Sequence, residues 1–135
     1  MARALLAVPL VLAALASGCA SSPSSAGDFT GDARKVADQV ERIQSAGETG
    51  DAGVICDDVL AKSLRDQIAA AGSNCESEMD KAIKDADDYD LAVEDVTITG
   101  DRATAKVKGR VGDRDAVRDF EFVREGSSWR ATSLG

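Results

Sequence analysis

The sequence predicts an α+β fold, with N-terminal helices packed on a curved antiparallel four-stranded sheet. Two observations carry this. Apolar residues recur at helical spacing from Phe29 to Ala86, then alternate one-in, one-out after Tyr89. Turn signals at Gly100-Asp101 and Gly126-Ser127 divide the alternating half into hairpins, so the helices come first and the strands form a meander.

Before the domain stands a segment of another kind. Arg3 precedes an uncharged run from Ala4 to Ala16, the layout of a secretory signal. The run is shorter than the roughly 20 apolar residues of a membrane span. It ends at Ala16-Ser17-Gly18-Cys19, which resembles the lipobox of bacterial lipoproteins, with Ala16 where leucine is commoner. The resemblance implies cleavage after Gly18 and acylation of the Cys19 thiol. Residues 1–18 are then the signal peptide, 19–27 a flexible tether and 28–135 a single domain. Two or more acyl chains make such attachment stable, and eight tether residues reach roughly 16 Å. The expected location is the extracytoplasmic face of the cell membrane, with the membrane a partner through the lipid.

The chain has 16 basic and 24 acidic residues. Loss of the signal removes Arg3 and leaves 15 against 24, a net charge of −9. That balance excludes electrostatic docking on nucleic acid and favours solubility. Cys19 is set aside for lipid, so Cys56 and Cys75 remain as an even pair in an oxidising setting, and a disulfide between them is expected. Two buried free thiols are the alternative.

Within the helical half, Ala33, Val36, Ala37, Val40 and Ile43 form the first stripe, with Gly47 as its stop. Asp51 reads as the N-cap of a second helix carrying Ala52, Ile55, Cys56, Val59 and Leu60. A further helix covers Lys62 to Ala71 and ends at Gly72. Ser73-Asn74-Cys75-Glu76 has the form of a capping box for a last helix with Cys75, Met79, Ala82, Ile83 and Ala86 inward. Both cysteines therefore fall on inner helix faces. The acidic segment Asp85 to Asp90 lacks the glycine and final glutamate of a calcium loop, and no metal is assigned to it.

In the sheet half, Leu91 and Val93 are out of phase with Val96 and Ile98, which predicts a β-bulge at Glu94-Asp95. The Gly100-Asp101 turn then pairs Thr99 with Arg102, Ile98 with Ala103, Val96 with Ala105 and Asp95 with Lys106. The third strand, Val117 to Glu125, is expected to set Phe120 and Phe122 beside Gly109 and Val107. Lys108 then lies opposite Glu121 and Arg110 opposite Asp119, which neutralises the basic stripe of the second strand. The fourth strand turns Trp129 and Ala131 inward and Arg130 outward.

The helix order, the bulged sheet and the closing hairpin Val123-Arg124-Glu125-Gly126 with Trp129-Arg130 resemble the nuclear-transport-factor-2-like superfamily, and more closely small bacterial lipoproteins that carry its cone-shaped domain. The resemblance spans Phe29 to Leu134 and its motifs are structural. It implies a concave sheet wrapped around helices and no single function, because this fold hosts enzymes, binding proteins and accessory subunits.

The chain has no histidine, which excludes Ser-His-Asp, Cys-His and histidine–metal chemistry. It also lacks phosphate-loop and dinucleotide motifs. An isomerase-like site needs an inward Asp and a Tyr donor, and the one tyrosine, Tyr89, precedes the first strand. No catalytic residue and no cofactor is assigned, and the chain is read as a non-enzyme. By elimination the leading expectation is an accessory or interaction protein of the cell envelope, using the acidic segment 85–90 or the loop Gly112 to Ala116. The alternative is a module binding a small apolar ligand in a pocket floored by Phe120, Phe122 and Trp129. Against a pocket, Ala103, Ala105, Gly109, Ala131 and Ser133 face an equally small-sided helix with Ala33, Ala37 and Ala46, and such pairs favour close approach.

Overall fold

A computed structural model describes residues 25–86, 89–111 and 113–135. Among these residues, four α-helical segments precede a four-stranded antiparallel meander in the order β1-β2-β3-β4, an α+β architecture whose curved sheet does not close. Cys19 and the expected signal peptide, residues 1–18, lie outside the described residues. Among the described residues no helix is long and apolar enough to cross a membrane. A 3-10 turn, Ser25–Asp28, opens the domain. Ala26 is 2% exposed and its N–H donates to Glu41. The last residues of the expected tether thus pack onto the domain.

Helix α1, Gly31–Thr49, lays Val36, Ala37, Val40 and Ala46 across the sheet. It does not stop at Gly47. Gly50, in the left-handed region at φ 70°, ends it, and its N–H donates to Gly47. Gly47 serves packing instead. A Cβ there would stand 2.4 Å from the Tyr89 ring, so the missing side chain seats the tyrosine. Asp51 caps α2, Ala52–Val54, by accepting the Val54 N–H. The chain then widens into a π-helical turn, Ile55–Val59, and Leu60 leaves it in extended conformation. Leu60 pairs in parallel with Ala131, and the Ala61 N–H donates to the Ala131 carbonyl at 2.8 Å. The second expected helix is therefore short, because its final turn is drawn onto β4.

Helix α3, Lys62–Ala70, buries no residue fully, nor does α4, Cys75–Asp85. The α4 cap is Asn74, one position beyond the expected Ser73. Asn74 accepts the Ser77 N–H, while the Ser73 hydroxyl donates to Glu78. Sγ atoms of Cys56 and Cys75 are bonded across a Cα separation of 6.1 Å, joining the π-helical turn to the start of α4.

In the sheet, β1 (Ala92–Thr99) and β2 (Arg102–Val111) pair as read, with Thr99 opposite Arg102 and Asp95 opposite Lys106. The bulge falls between Val93 and Asp95. Strand β3 begins at Arg114, so most of the expected 112–116 loop is strand. Its register is also different: Phe120 pairs with Ala105, Phe122 with Ala103 and Arg110 with Asp115. The strand is slid four residues from the expected pairing, which keeps every side chain on its face and stacks the largest residues over the smallest. The expected charge pairs give way to Lys106–Asp119 and Lys108–Asp115, at 3.8 and 3.2 Å. Strand β4, Ser128–Leu134, completes the sheet, and Trp129 and Ala131 sit in the core.

Candidate functional site

The core is dense where α1 crosses the middle of the sheet. Ala37 and Ala46 belong to one buried cluster with Ala103, Ala105 and Ala131, all 4% exposed or less. Small residues there give close approach, as the sequence suggests.

Toward the other end of the sheet the packing opens. An apolar cavity of about 260 Å³ lies between α1, α4 and the ends of β2 and β3. Its helical wall is Ile43 and Gly47 of α1, Ile55, and Met79, Ala82 and Ile83 of α4 with the C-cap Ala86. Tyr89 and Leu91 form one side. The sheet supplies Val107, Gly109, Ala116, Phe120 and Leu134, with Arg110 and Arg118 also lining it.

The hollow follows from how α4 is held. The helix packs principally on α2, α3 and the π-helical turn. Its N-terminal end is fixed by the disulfide. Near its C-terminal end the Tyr89 hydroxyl donates to the Ile83 carbonyl, and the tyrosine ring rests on Gly47. Met79 and Ile83 are only half-buried. Suspended at both ends, α4 leaves space above Gly109 and Ala116, a register pair with almost no side chain. Leu91 closes part of the floor, 3.1 Å from where a Gly109 Cβ would stand.

Of the three expected floor residues only Phe120 lines the cavity. Phe122 and Trp129, 2% and 1% exposed, are packed in the core. Trp129 instead borders a polar cleft of about 230 Å³ with Lys35, Asp38, Gln39, Arg42, Ser127 and Ser128. Sequence reasoning missed α4 and Tyr89 as the opposite wall. The available signal was Tyr89 itself, an aromatic residue directly after an acidic helix end.

Trp129 also belongs to a clasp between α1 and the β3–β4 hairpin. Arg124 Nη2 donates to Asp32 Oδ2 at 2.7 Å, and Trp129 Nε1 to Asp32 Oδ1 at 3.4 Å. The guanidinium also lies 4.6 Å from the Trp129 ring centroid, a cation–π contact. The hydrogen bonds from Arg124 and then Trp129 hold the Asp32 carboxyl below its ordinary value of 3.8. Gln39 Nε2 donates to the Trp129 carbonyl at 2.7 Å. The Asp32, Arg124 and Trp129 side chains satisfy one another and tie helix to sheet, while Gln39 Oε1 is buried without a hydrogen-bond partner among the described residues.

The apolar cavity differs in kind. None of its described lining residues carries a carboxylate. Among the described residues no group of three or more His, Cys, Asp or Glu side chains is arranged to hold a metal. Asp87 and Asp88 of the acidic segment, and Gly112 of the expected surface loop, lie outside the described residues. Chemically, the cavity offers shape, apolar contact and a guanidinium-bearing edge.

No family, characterised protein or solved structure matches the chain.

Proposed function

We propose that this chain is a non-enzymatic binding domain, anchored through Cys19 at the extracytoplasmic face of a bacterial membrane, that takes an apolar small molecule in the cavity beneath α4. The cavity is the observation that carries this reading. It is lined mostly by apolar residues, with a few polar groups, which is the ordinary composition of a ligand site. The nuclear-transport-factor-2-like cone is the fold we infer, supported by helices lying on a curved, open sheet. The absence of a carboxylate from the described lining favours binding over proton-transfer chemistry.

The accessory role reached by elimination has less behind it. Among the described residues the one large hydrophobic side chain left exposed is Val117, at 52%. A protein-docking face usually needs a broader apolar patch.

The test is titration with N-phenyl-1-naphthylamine, a neutral probe that fluoresces in apolar surroundings. Wild type should bind it and be stabilised. A ligand at a hundred times its Kd adds about 2.7 kcal/mol, which for a domain near 100 residues raises Tm by roughly 10–20 °C. Ala82 is exposed on α4 yet borders the cavity, so Ala82→Trp should block binding and leave Tm without ligand nearly unchanged. Equal probe binding by wild type and Ala82→Trp would refute the site.

A further inference from the structure

We propose that the ligand is a single-chain carboxylate amphiphile, its hydrocarbon chain in the cavity and its headgroup on Arg118. The inference rests on the cavity being a binding site and adds the chemistry of what it holds.

Arg118 is placed by the register of the sheet. It pairs with Val107, which is 2% exposed and belongs to the core. Paired residues share a face, so Arg118 belongs to the inward series of β3 that otherwise reads Ala116, Phe120 and Phe122. A charged residue in that series needs a reason. Arg118 is exposed, lies at the cavity edge, and packs its stem against Gly135, where a Cβ would stand 2.9 Å from its Cδ. Backbone contact along the stem limits where the guanidinium can point.

Acids are in excess in this chain, 24 against 16 bases. On β2, Lys106 and Lys108 have acidic partners, and Arg124 has two. Among the described residues Arg118 forms no ion pair and no side-chain hydrogen bond. An inward-series arginine beside an apolar hollow, with no protein acid on it, is complementary to a carboxylate carried on an apolar chain. A guanidinium receives a carboxylate through two parallel N–H donors.

The cavity, about 260 Å³ and open on one side, suits a hydrocarbon chain of moderate length. A saturated acid near ten carbons is the appropriate probe.

Arg118 has a rival explanation in the fold. Beyond Phe120, whose partner Leu134 is the last residue of β4, strand β3 has no neighbour on that side among the described residues. A charge there would discourage edge-to-edge pairing. The two roles separate experimentally.

Displacement of the neutral naphthylamine probe from the full chain by decanoate and by 1-decanol, near neutral pH in 0.15 M salt, decides the matter. Arg118→Gln should weaken decanoate roughly ten- to a hundredfold, as loss of a charged hydrogen-bond partner does, and leave decanol within about twofold. Arg118→Lys should recover part of the loss. Phosphatidylglycerol vesicles free of fatty acid should not compete. The inference is overturned if Arg118→Gln leaves decanoate unaffected, weakens both ligands equally, or changes only the oligomeric state on gel filtration. Competition by the vesicles in preference to decanoate also overturns it. If wild type binds the naphthylamine but neither decyl ligand, the site stands and this ligand class fails. If wild type binds no probe at all, the site itself fails.

Discussion

Asp32 shows how much one side chain can organise here. It stands near the start of α1, accepts from Arg124 and Trp129, and is approached by Lys35 at 3.5 Å. Its folded pKa lies below the ordinary 3.8, so the ionised form is favoured by folding. The stabilisation is present in full above pH 3.8 and is lost as pH falls through the lowered folded value. Asp32→Asn should therefore lower the urea midpoint at neutral pH, and the gap from wild type should narrow as pH drops below 3.8. A gap that stayed constant from about pH 7 to about pH 2 would refute the assignment. Gly47 poses the opposite case, where local propensity and packing conflict. Alanine in a helix interior is favoured over glycine by about 1 kcal/mol. The new Cβ, however, would stand 2.4 Å from the Tyr89 ring, and overpacking costs roughly 1–3 kcal/mol. Packing should win: Gly47→Ala is expected to lower stability in chemical denaturation and to weaken probe binding by displacing Tyr89. The same substitution in a Tyr89→Ala background should be stabilising.

Helix α4 is the element on which the site depends. It buries no residue fully and holds to the core through the half-buried Cys75, Met79 and Ile83. The Cys56–Cys75 bond closes a 19-residue separation and in the chain-entropy account contributes about 3 kcal/mol. Reduction, or Cys56→Ser with Cys75→Ser, should cost about that much. It should also raise amide exchange across α4 and abolish probe binding before β1–β4 lose protection. Simultaneous loss of α4 and sheet would contradict this division of stability. The sheet permits a sharper test of register. Lys108 and Asp115 approach to 3.2 Å while both are substantially exposed, so a double-mutant cycle should give a coupling of about 0.2–1 kcal/mol that fades with salt. The cycle of Lys108 with Glu121 should give none, because Glu121 is paired with Thr104.

As a whole the molecule is a two-layer domain with a tight half and an open half. The tight half holds Trp129, Phe122 and Leu60, each 2% exposed or less, between α1, the π-helical turn and the sheet. The open half holds the cavity. A tether of the length expected before residue 27 would keep both within tens of ångströms of the bilayer. If Cys19 carries the lipid, Cys19→Ala should move the protein from the membrane fraction to the soluble extracytoplasmic fraction without changing Tm or probe binding. Retention with the membrane at wild-type level would refute the anchor.

What the sequence determined by itself was whatever depended on near neighbours. The first hairpin was legible because a two-residue turn and a one-residue bulge fix its register within a few positions. The Cys56–Cys75 pair was legible because each cysteine fell on an inner helix stripe. The β2–β3 register was not, since an even-numbered slide preserves the alternation of faces; only the fit of Phe120 and Phe122 over Ala105 and Ala103 decided it. Gly47 read as a helix stop because a glycine near a helix end usually is one, and its true partner, Tyr89, lies far along the chain on the other side of α4. The cavity was the least legible feature. It arises from the distance at which α4 is suspended, a three-dimensional quantity set by a disulfide, a tyrosine and a missing Cβ together, and no short stretch of sequence contains all three.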